Sequence, residues 1–209
     1  MKAFICRHGE TALNLEKRWQ GGRFDSALTG KGIAQARAFA EILKDEKLDA
    51  IFSSPLGRAK QTASFLREKF PNIPYFEEKA LWEIDKGTFD GSTLEERKEQ
   101  CSENLENIQY DRLDRPYPGG ESYRDLIKRL APFVEKLKKE FNGKTVAVFG
   151  HYAVNRMLVG MLLLLPDEKL LQIEASSEFI YEIILEKGKA KAFQLKETGR
   201  KEGLLFKGK

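Results

Sequence analysis

The chain has 209 residues, of which 41% are hydrophobic and 33% are charged, a balance that fits a single globular domain spanning residues 1–209. Its 36 basic and 32 acidic residues give a net charge of +4, a mild excess that offers no positive sign of nucleic-acid binding. No apolar run approaches the ~18–20 residues of a membrane span, and two cysteines, Cys6 and Cys101, do not suggest a disulfide framework.

The first half of the chain alternates between predicted strands and helices. An apolar strand at residues 2–6 begins so early that we expect no signal peptide and a reduced, cytoplasmic setting. After a loop, Thr29 is placed as the N-cap of a helix whose apolar residues recur at helical spacing. The next elements are a strand in "LDAIFSSP", a helix in "LGRAKQTASFLREKF" and a short strand in "IPYFEEKAL".

The second half continues the alternation and ends in a hairpin. Ser92 and Glu95 have the spacing of a capping box at the start of a helix in "GSTLEERKEQ". A long amphipathic helix in "GGESYRDLIKRLAPFVEKLKKEF", a buried strand in "KTVAVFGH" and an apolar helix in "AVNRMLVGMLLLL" follow. The segment "EFIYEIILEKGKAKAFQLKE" predicts a β-hairpin that turns near Lys187–Gly188, and the basic segment "KETGRKEGLLFKGK" predicts a solvated tail.

This order predicts an α/β fold: a three-layer α/β/α sandwich with a mostly parallel sheet and an antiparallel edge. In such sheets, ligands bind beyond the carboxyl ends of the parallel strands. The segment that follows each parallel strand is therefore where functional side chains are expected.

The chain has only two histidines, and both come directly after an apolar strand. His8 ends "AFICRH" and His151 ends "VAVFGH". Two unrelated structural histidines are the alternative, but the shared position at a strand's carboxyl end favours one common site.

Two arginines are expected at the same edge of the sheet. Arg7 precedes His8, and Arg58 opens the helix after the second strand. Alone, Arg58 fits a surface position on a first helical turn. Together, two planar guanidinium groups aimed into one crevice suit phosphate, whose oxygens they bind in pairs.

Glu83, in "LWEIDKGTFDG", is a candidate general acid. It is predicted where a strand ends, beside Trp82, and a carboxyl group against an aromatic surface can hold a proton for the reaction. The residues alone leave an ordinary loop glutamate equally open. A metallohydrolase is the competing chemistry, but arginines beside both histidines would repel a metal ion, so we expect no metal and no cofactor.

The blocks "CRHGETALNLEKRWQGGRFDSALTGKGIAQARAFA", "SSPLGRAKQTA", "LWEIDKGTFDG", "GGES" and "VFGHYAVNRMLV" resemble the histidine phosphatase superfamily, which has the phosphoglycerate mutase-like fold. They occur in the order and spacing of that family and cover most of residues 3–160. The resemblance implies a nucleophile that becomes phosphohistidine (His8), a phosphate pocket (Arg7, Arg58 and His151) and a proton donor (Glu83). The second ring nitrogen of His8 should then be held by a backbone carbonyl or a similar acceptor.

The resemblance also implies that Asn14, Gln20 and Gly21 approach the phosphoryl group. Polar loop residues with local hydrogen bonds remain the alternative interpretation for Asn14 and Gln20. Two positions depart from the family pattern: Tyr152 stands where glycine commonly follows the second histidine, and Lys86 where mutases carry a tyrosine. Tyr152 could narrow the pocket or contact the substrate.

Lys86, Arg112 and Arg115 could bind an anionic group of the substrate, with a solvated basic face as the alternative for each. The stretch between Glu83 and His151 is shorter than in cofactor-dependent mutases, which favours a phosphatase.

The sequence therefore predicts a metal-independent phosphomonoesterase that acts through phosphohistidine on a small phosphorylated metabolite. Phosphoserine, sugar phosphates, phosphoglycerates and α-ribazole phosphate are all compatible substrates. A phosphoglycerate mutase is the nearest alternative, and a non-catalytic phosphate-binding module is the alternative from another class. No nucleic-acid or membrane partner is expected, and a homodimer through a strand edge or the apolar helix near Met157 stays open.

Overall fold

A computed structural model describes residues 1–100 and 113–207, and its centre is one seven-stranded sheet. Its strands are β1 (Lys2–Arg7), β2 (Ala50–Ser53), β3 (Tyr75–Glu77), β4 (Thr145–Gly150), β5 (Ile180–Glu186), β6 (Lys189–Lys196) and β7 (Gly199–Glu202). Their order across the sheet is β3-β2-β4-β1-β5-β6-β7. Cys101 and Arg112, both named above, lie outside the described residues.

The sheet has a parallel half and an antiparallel half. Strands β3, β2, β4 and β1 run parallel, whereas β5, β6 and β7 are antiparallel to their neighbours. The predicted hairpin is confirmed: β5 and β6 are joined by Lys187 and Gly188, whose φ angles of 48° and 73° suit a tight two-residue turn. The predicted combination of parallel strands with an antiparallel edge is observed in a mixed sheet, in which the antiparallel edge is three strands wide.

Seven helices are described: α1 (Ala12–Leu15), α2 (Gly30–Leu43), α3 (Gly57–Lys69), α4 (Leu94–Gln100), α5 (Tyr123–Glu140), α6 (Tyr152–Leu162) and α7 (Asp167–Leu170). Thr29 caps α2, as predicted, by accepting a hydrogen bond from the backbone N–H of Gly32 at 3.1 Å. The predicted box of Ser92 and Glu95 is wrong by one residue. Thr93 and Glu96 form it, because each side chain there reaches the other residue's backbone N–H, at 3.2 and 2.8 Å.

Helices cover both faces of the sheet and bury two apolar clusters. On one face, α2 and α3 place Phe39, Leu43 and Leu66 against the strands. On the other face, α5 and α6 contribute Leu130 and Leu158 to a larger cluster. Because each helix buries one apolar stripe on a two-sided sheet, the architecture is the predicted three-layer α/β/α sandwich.

The C-terminal segment is not the solvated tail that its basic composition predicts. Strand β7 pairs with β6, and Phe206 forms a bridge with Ile173. The backbone N–H of Glu174 donates to the carbonyl of Leu205 at 2.8 Å. Apolar residues at 204–206 pack against the core between the lysines, and this packing is what the charge count hides.

Within residues 1–100 and 113–207, no helix combines the length and the apolar character needed to cross a membrane.

Candidate active site

The two histidines lie side by side at the carboxyl ends of neighbouring parallel strands. β1 and β4 pair in a register that sets Arg7 opposite Gly150, so the residue after each strand is a histidine. The backbone N–H of His8 donates to the carbonyl of Gly150 at 3.0 Å, and the ring centroids of His8 and His151 are 5.2 Å apart. Backbone pairing therefore brings together two rings that are 143 residues apart in sequence.

The hydrogen bonds of His8 fix which ring nitrogen carries the proton. Its Nδ1 lies 2.8 Å from the carbonyl oxygen of Gly9, and because a carbonyl only accepts, Nδ1 donates. This is the backbone acceptor that the sequence predicts. Burial, followed by the charges of Arg58 and Arg7, lowers the pKa of His8 well below its ordinary range. The ring is therefore neutral near pH 7, with its lone pair on Nε2.

His151 has the opposite arrangement. Its Nδ1 accepts a hydrogen bond from Nε of Arg58 at 3.2 Å, because a guanidinium only donates. Burial and then Arg58 lower the pKa of His151, so the ring is neutral and its proton is on Nε2. Among the described residues, this buried Nε2 has no hydrogen-bond partner. One ring thus offers a lone pair and the other, next to it, offers a donor.

Arg58 is held in one orientation by the loop that precedes α2. Its side chain is 1% exposed, and Nη1 donates to the carbonyl of Phe24 at 2.8 Å and to the carboxylate of Asp25 at 3.0 Å. Nη2 donates to the carbonyl of Gly21 at 3.0 Å. With Nε on His151, most of its donors are directed by the protein itself, which orients the guanidinium before any ligand arrives.

Arg7 is far less constrained. Its Nη1 makes one long contact, 3.4 Å, to the carbonyl of Ala175, and its buried Nε has no hydrogen-bond partner in the described part of the chain. Burial lowers the pKa of Arg7, while Glu83 raises it. We call His8, His151, Arg7 and Arg58 the histidine–arginine cluster, and its free donor capacity suits a tetrahedral anion.

The ring of Tyr152 borders this cluster. The guanidinium carbon of Arg7 lies 5.0 Å from its centroid, within cation–π range, and its hydroxyl donates to the carboxylate of Glu174 at 3.3 Å. The ammonium of Lys207, from the packed C-terminal segment, lies 5.9 Å from the same ring. We call Tyr152, Glu174 and Lys207 the outer wall.

Glu83 lies in a loop, not at a strand end, because β3 stops at Glu77 and a 3₁₀ turn, Lys79–Leu81, intervenes. Its carboxylate accepts the backbone N–H groups of Ala153 and Val154, at 3.2 and 3.3 Å, in the first turn of α6. The predicted aromatic environment is not what the structure shows: the Trp82 indole turns outward and donates to the carbonyl of Gly22. A helix N-terminus thus holds Glu83 beside His151.

Lys86 adds a further cation to the site. Its ammonium lies 5.0 Å from the ring of Trp19. Burial lowers the pKa of Lys86, the charges of Glu83 and Asp90 raise it, and Arg7 and Arg58 lower it further. Lys86 in turn helps to lower the pKa of His8, so its charge acts within the cluster.

Asn14 and Gln20 both make local hydrogen bonds. The Oδ1 of Asn14 accepts from the backbone N–H of Thr11 at 3.2 Å. The amide of Gln20 accepts from the Thr11 hydroxyl at 2.8 Å and donates to Ser26 at 3.0 Å. Across residues 1–100 and 113–207, neither amide bonds to a histidine or arginine of the cluster. Gly21 does reach it, through its carbonyl on Arg58.

Sequence reasoning missed three polar residues that support the cluster. Asp25 orients Arg58, and the hydroxyl of Thr62 accepts the backbone N–H of Gly9 at 3.1 Å. Asp90, 8% exposed, accepts the backbone N–H groups of Gly21 and Arg23. Thr62 and Asp90 lie inside the motifs "SSPLGRAKQTA" and "LWEIDKGTFDG" quoted above. Their polar side chains, close in sequence to Arg58 and Glu83, were the signal that could have identified them.

Comparisons with known proteins agree on one family. A family model described as the histidine phosphatase superfamily (branch 1) matches residues 3–198. The 6-phosphofructo-2-kinase/fructose-2,6-bisphosphatase 1 of Mus musculus is 36% identical over 162 residues, which are 77% of this chain and 32% of that protein. The fructose-2,6-bisphosphatase of Saccharomyces cerevisiae is 33% identical over 171 residues, 79% of this chain and 35% of that protein. This chain spans about a third of the length of these curated relatives.

Solved structures share the whole architecture. Bacillus stearothermophilus YhfR has a TM-score of 0.79 at 28% identity, covering 90% of this chain and 93% of that one. A mycobacterial glucosyl-3-phosphoglycerate phosphatase in complex with inorganic phosphate has a TM-score of 0.78 at 22% identity, covering 97% and 94%. The second likeness, at its low identity, concerns the fold alone.

Proposed function

Since this chain belongs to the histidine phosphatase superfamily, we propose that it is a phosphoric monoester hydrolase that works without a metal, through a phosphohistidine on His8. The observation that carries the proposal is the pair of neutral rings 5.2 Å apart with opposite proton positions. Nε2 of His8 is a nucleophile, and Nε2–H of His151 is a donor for the phosphoryl oxygens.

In the first step, Nε2 of His8 attacks phosphorus while the bond from phosphorus to the ester oxygen breaks. Arg7, Arg58 and His151 stabilise the negative charge on the equatorial oxygens. The leaving oxygen takes a proton from the carboxyl of Glu83.

In the second step, water attacks the phosphohistidine. Glu83, now a carboxylate, takes one proton from the water as the oxygen bonds to phosphorus. The bond between phosphorus and Nε2 breaks, and His8 returns to its neutral form. The backbone N–H groups of Ala153 and Val154 hold the carboxylate in place for this step.

We propose a small phosphorylated metabolite as the substrate. The curated relatives carry the name fructose-2,6-bisphosphatase, so a sugar bisphosphate joins the candidates that the sequence predicts. Lys86, whose charge acts on His8, and Lys207, beside the ring of Tyr152, support a substrate with negative charge beyond the reacting phosphate.

The test is phosphate release from an aryl phosphate in excess chelator. We expect turnover that the chelator does not reduce and that His8→Ala abolishes. With a ³²P-labelled ester, the wild-type protein should retain label after quenching without acid. His151→Asn is the matched variant: it keeps the nucleophile, so it should still take up label, more slowly. Unchanged turnover in His8→Ala would remove the covalent role.

A panel of metabolites then separates the candidate functions. The panel comprises fructose 2,6-bisphosphate, phosphoserine, 3-phosphoglycerate, glucosyl-3-phosphoglycerate and α-ribazole phosphate. Faster isomerisation than hydrolysis of 3-phosphoglycerate would favour a mutase. Tight phosphate binding without turnover of any ester would favour a binding module.

A further inference from the structure

Asp90 is a buried carboxylate that holds the loop beside the cluster without touching the cluster itself. It follows the 3₁₀ turn Gly87–Phe89 and is 8% exposed. One oxygen accepts the backbone N–H of Gly21 in a very short contact, and the other accepts that of Arg23 at 2.9 Å. A carboxylate bonded in this way fixes two alternate residues of the loop.

The fit between this loop and Asp90 is tight. A Cβ on Gly21 would lie 2.6 Å from Oδ1 of Asp90 and 2.7 Å from the carbonyl oxygen of Ile84, closer than Cβ contacts ordinarily come. Only glycine lets the backbone approach both groups. The carboxylate and the loop are therefore closely matched to each other in shape.

The loop passes this constraint to Arg58. The same Gly21 whose N–H is held by Asp90 turns its carbonyl to Nη2 of Arg58 at 3.0 Å, and Phe24 adds a second carbonyl at 2.8 Å. Arg58 in turn donates from Nε to Nδ1 of His151 at 3.2 Å. A continuous series of buried hydrogen bonds thus joins Asp90 to the ring whose proton position matters for the reaction.

We propose that Asp90 is a positioning residue: by anchoring Gly21 and Arg23 it orients Arg58, and through Arg58 it keeps the proton of His151 on Nε2. The effect of Asp90 on catalysis rests on the proposed function. Its effect on the proton position of His151 in the free protein does not depend on turnover.

The test uses Asp90→Asn, which keeps the size of the side chain. The amide oxygen can accept one loop N–H, but the amide NH₂ then faces the other N–H, so one anchor is lost. Since the chain has two histidines, ¹⁵N NMR of the imidazole rings resolves each one. We expect His151 to shift from a single Nε2–H form to a mixture, and Arg58→Ala to give the same change.

Catalytic activity and phosphate affinity should change together with the proton position of His151. We expect kcat for an aryl phosphate to fall on the order of 100-fold and the affinity for inorganic phosphate to fall with it, because misplacing one charged group by about 1 Å has that effect. Asp49→Asn is the control: Asp49 also accepts a backbone N–H, from Thr145 at 2.8 Å, but at the opposite end of the sheet. It should leave both readouts as in the wild type.

A wild-type His151 signal together with wild-type phosphate affinity in Asp90→Asn would overturn the proposal. If Asp90→Asn does not fold, Gly21→Ala is the second test. The Cβ added at Gly21 would clash with the carboxylate of Asp90 and so disturb the same hydrogen bond from the side of the loop. A changed His151 signal in Gly21→Ala supports the proposal, and an unchanged one rejects it. A changed signal in a protein that hydrolyses no ester would retain the positioning role and reject the proposed function instead.

Discussion

The outer wall borders the histidine–arginine cluster, with the Tyr152 ring 5.0 Å from the guanidinium carbon of Arg7, but the chain fixes the two regions by different means. The cluster follows from backbone pairing: β1 and β4 are parallel neighbours, so their ends meet whatever the side chains are. The outer wall depends on a C-terminal segment that returns to the loop before β5, where Phe206 pairs with Ile173. The position of the cluster is thus set by strand pairing in the sheet, and that of the outer wall by side-chain contacts with the C-terminal segment.

Arg58 of the cluster and Tyr152 of the wall also differ in how many hydrogen bonds the protein gives them. Arg58 is surrounded by protein acceptors, whereas Tyr152 has one hydrogen bond of 3.3 Å and the ammonium of Lys207 at 5.9 Å from its ring. Preorganised charge suits the step that the proposed function assigns to every substrate, the transfer of a phosphoryl group. Under that proposal, the wall is where substrate preference can change without loss of the chemistry.

The largest effect should come from removing the best-held member of the cluster. We expect Arg58→Ala to lower kcat/KM for an aryl phosphate about 1,000-fold, because it removes both a phosphate donor and the partner of His151 Nδ1. Steady-state phosphate release measures it. Arg67→Ala, on the exposed face of the same helix and stacked on Tyr75, is the control and should stay near wild type. A loss below tenfold would show that the cluster does not depend on preorganised charge.

The next prediction concerns Glu83, the proposed proton donor to the leaving group. We expect Glu83→Gln to slow hydrolysis of an alkyl phosphate about 100-fold but that of a nitrophenyl phosphate less than about tenfold, because only a poor leaving group needs the proton. Glu78→Gln, which also alters a carboxylate bonded to a backbone N–H, is the matched control. Equal slowing of both esters would argue against Glu83 as the acid.

What the sequence predicted well follows from local rules. The strands directly before His8 and His151, the N-cap at Thr29 and the turn at Lys187–Gly188 each depend on a few adjacent residues. Parallel pairing then converts those local features into one site. The three-layer fold could be predicted for the same reason, since it follows from the alternation of elements.

What the sequence did not predict depends on contacts between distant residues. Glu83 was expected at a strand end beside an aromatic ring, but its position is set by N–H groups of α6, 70 residues later. Asp90 and Asp25 look like loop acids until the backbone of Gly21 and the guanidinium of Arg58 are placed beside them. The C-terminal segment was misjudged because net charge conceals three apolar residues that pack.

The pH dependence of stability should reveal the burial of the cluster. In the unfolded chain both imidazoles have a pKa of about 6.5, whereas burial and then Arg58 lower the pKa of His8 and His151 in the fold. Below pH 6.5 the unfolded chain therefore binds protons that the native state does not, so the free energy of unfolding falls as the pH falls and levels off above about pH 7.

We expect a loss on the order of 2 kcal/mol between pH 7 and pH 5.5, because each of the two histidines contributes up to about 1.4 kcal/mol per pH unit. Urea unfolding at a series of pH values measures it. The double variant His8→Asn/His151→Asn should show a nearly flat profile over the same range. An equal slope in that variant would place the titrating groups outside the cluster.

The smallest effect should come from the outer wall. Tyr152→Phe keeps the ring beside Arg7 but removes the hydrogen bond to Glu174, whose loss is worth about 1 kcal/mol. We expect kcat/KM for a small aryl phosphate to change less than about threefold, while the ranking of larger phosphorylated metabolites shifts, because the carboxylate of Glu174 loses its contact with the hydroxyl. Tyr75→Phe, which loses a hydroxyl contact of 2.6 Å with Ser53 at the β3 edge, controls for a general loss of packing. An unchanged ranking across the metabolite panel in Tyr152→Phe would mean that substrate preference is set elsewhere, and a large loss with the aryl phosphate would mean that the wall is part of the catalytic cluster.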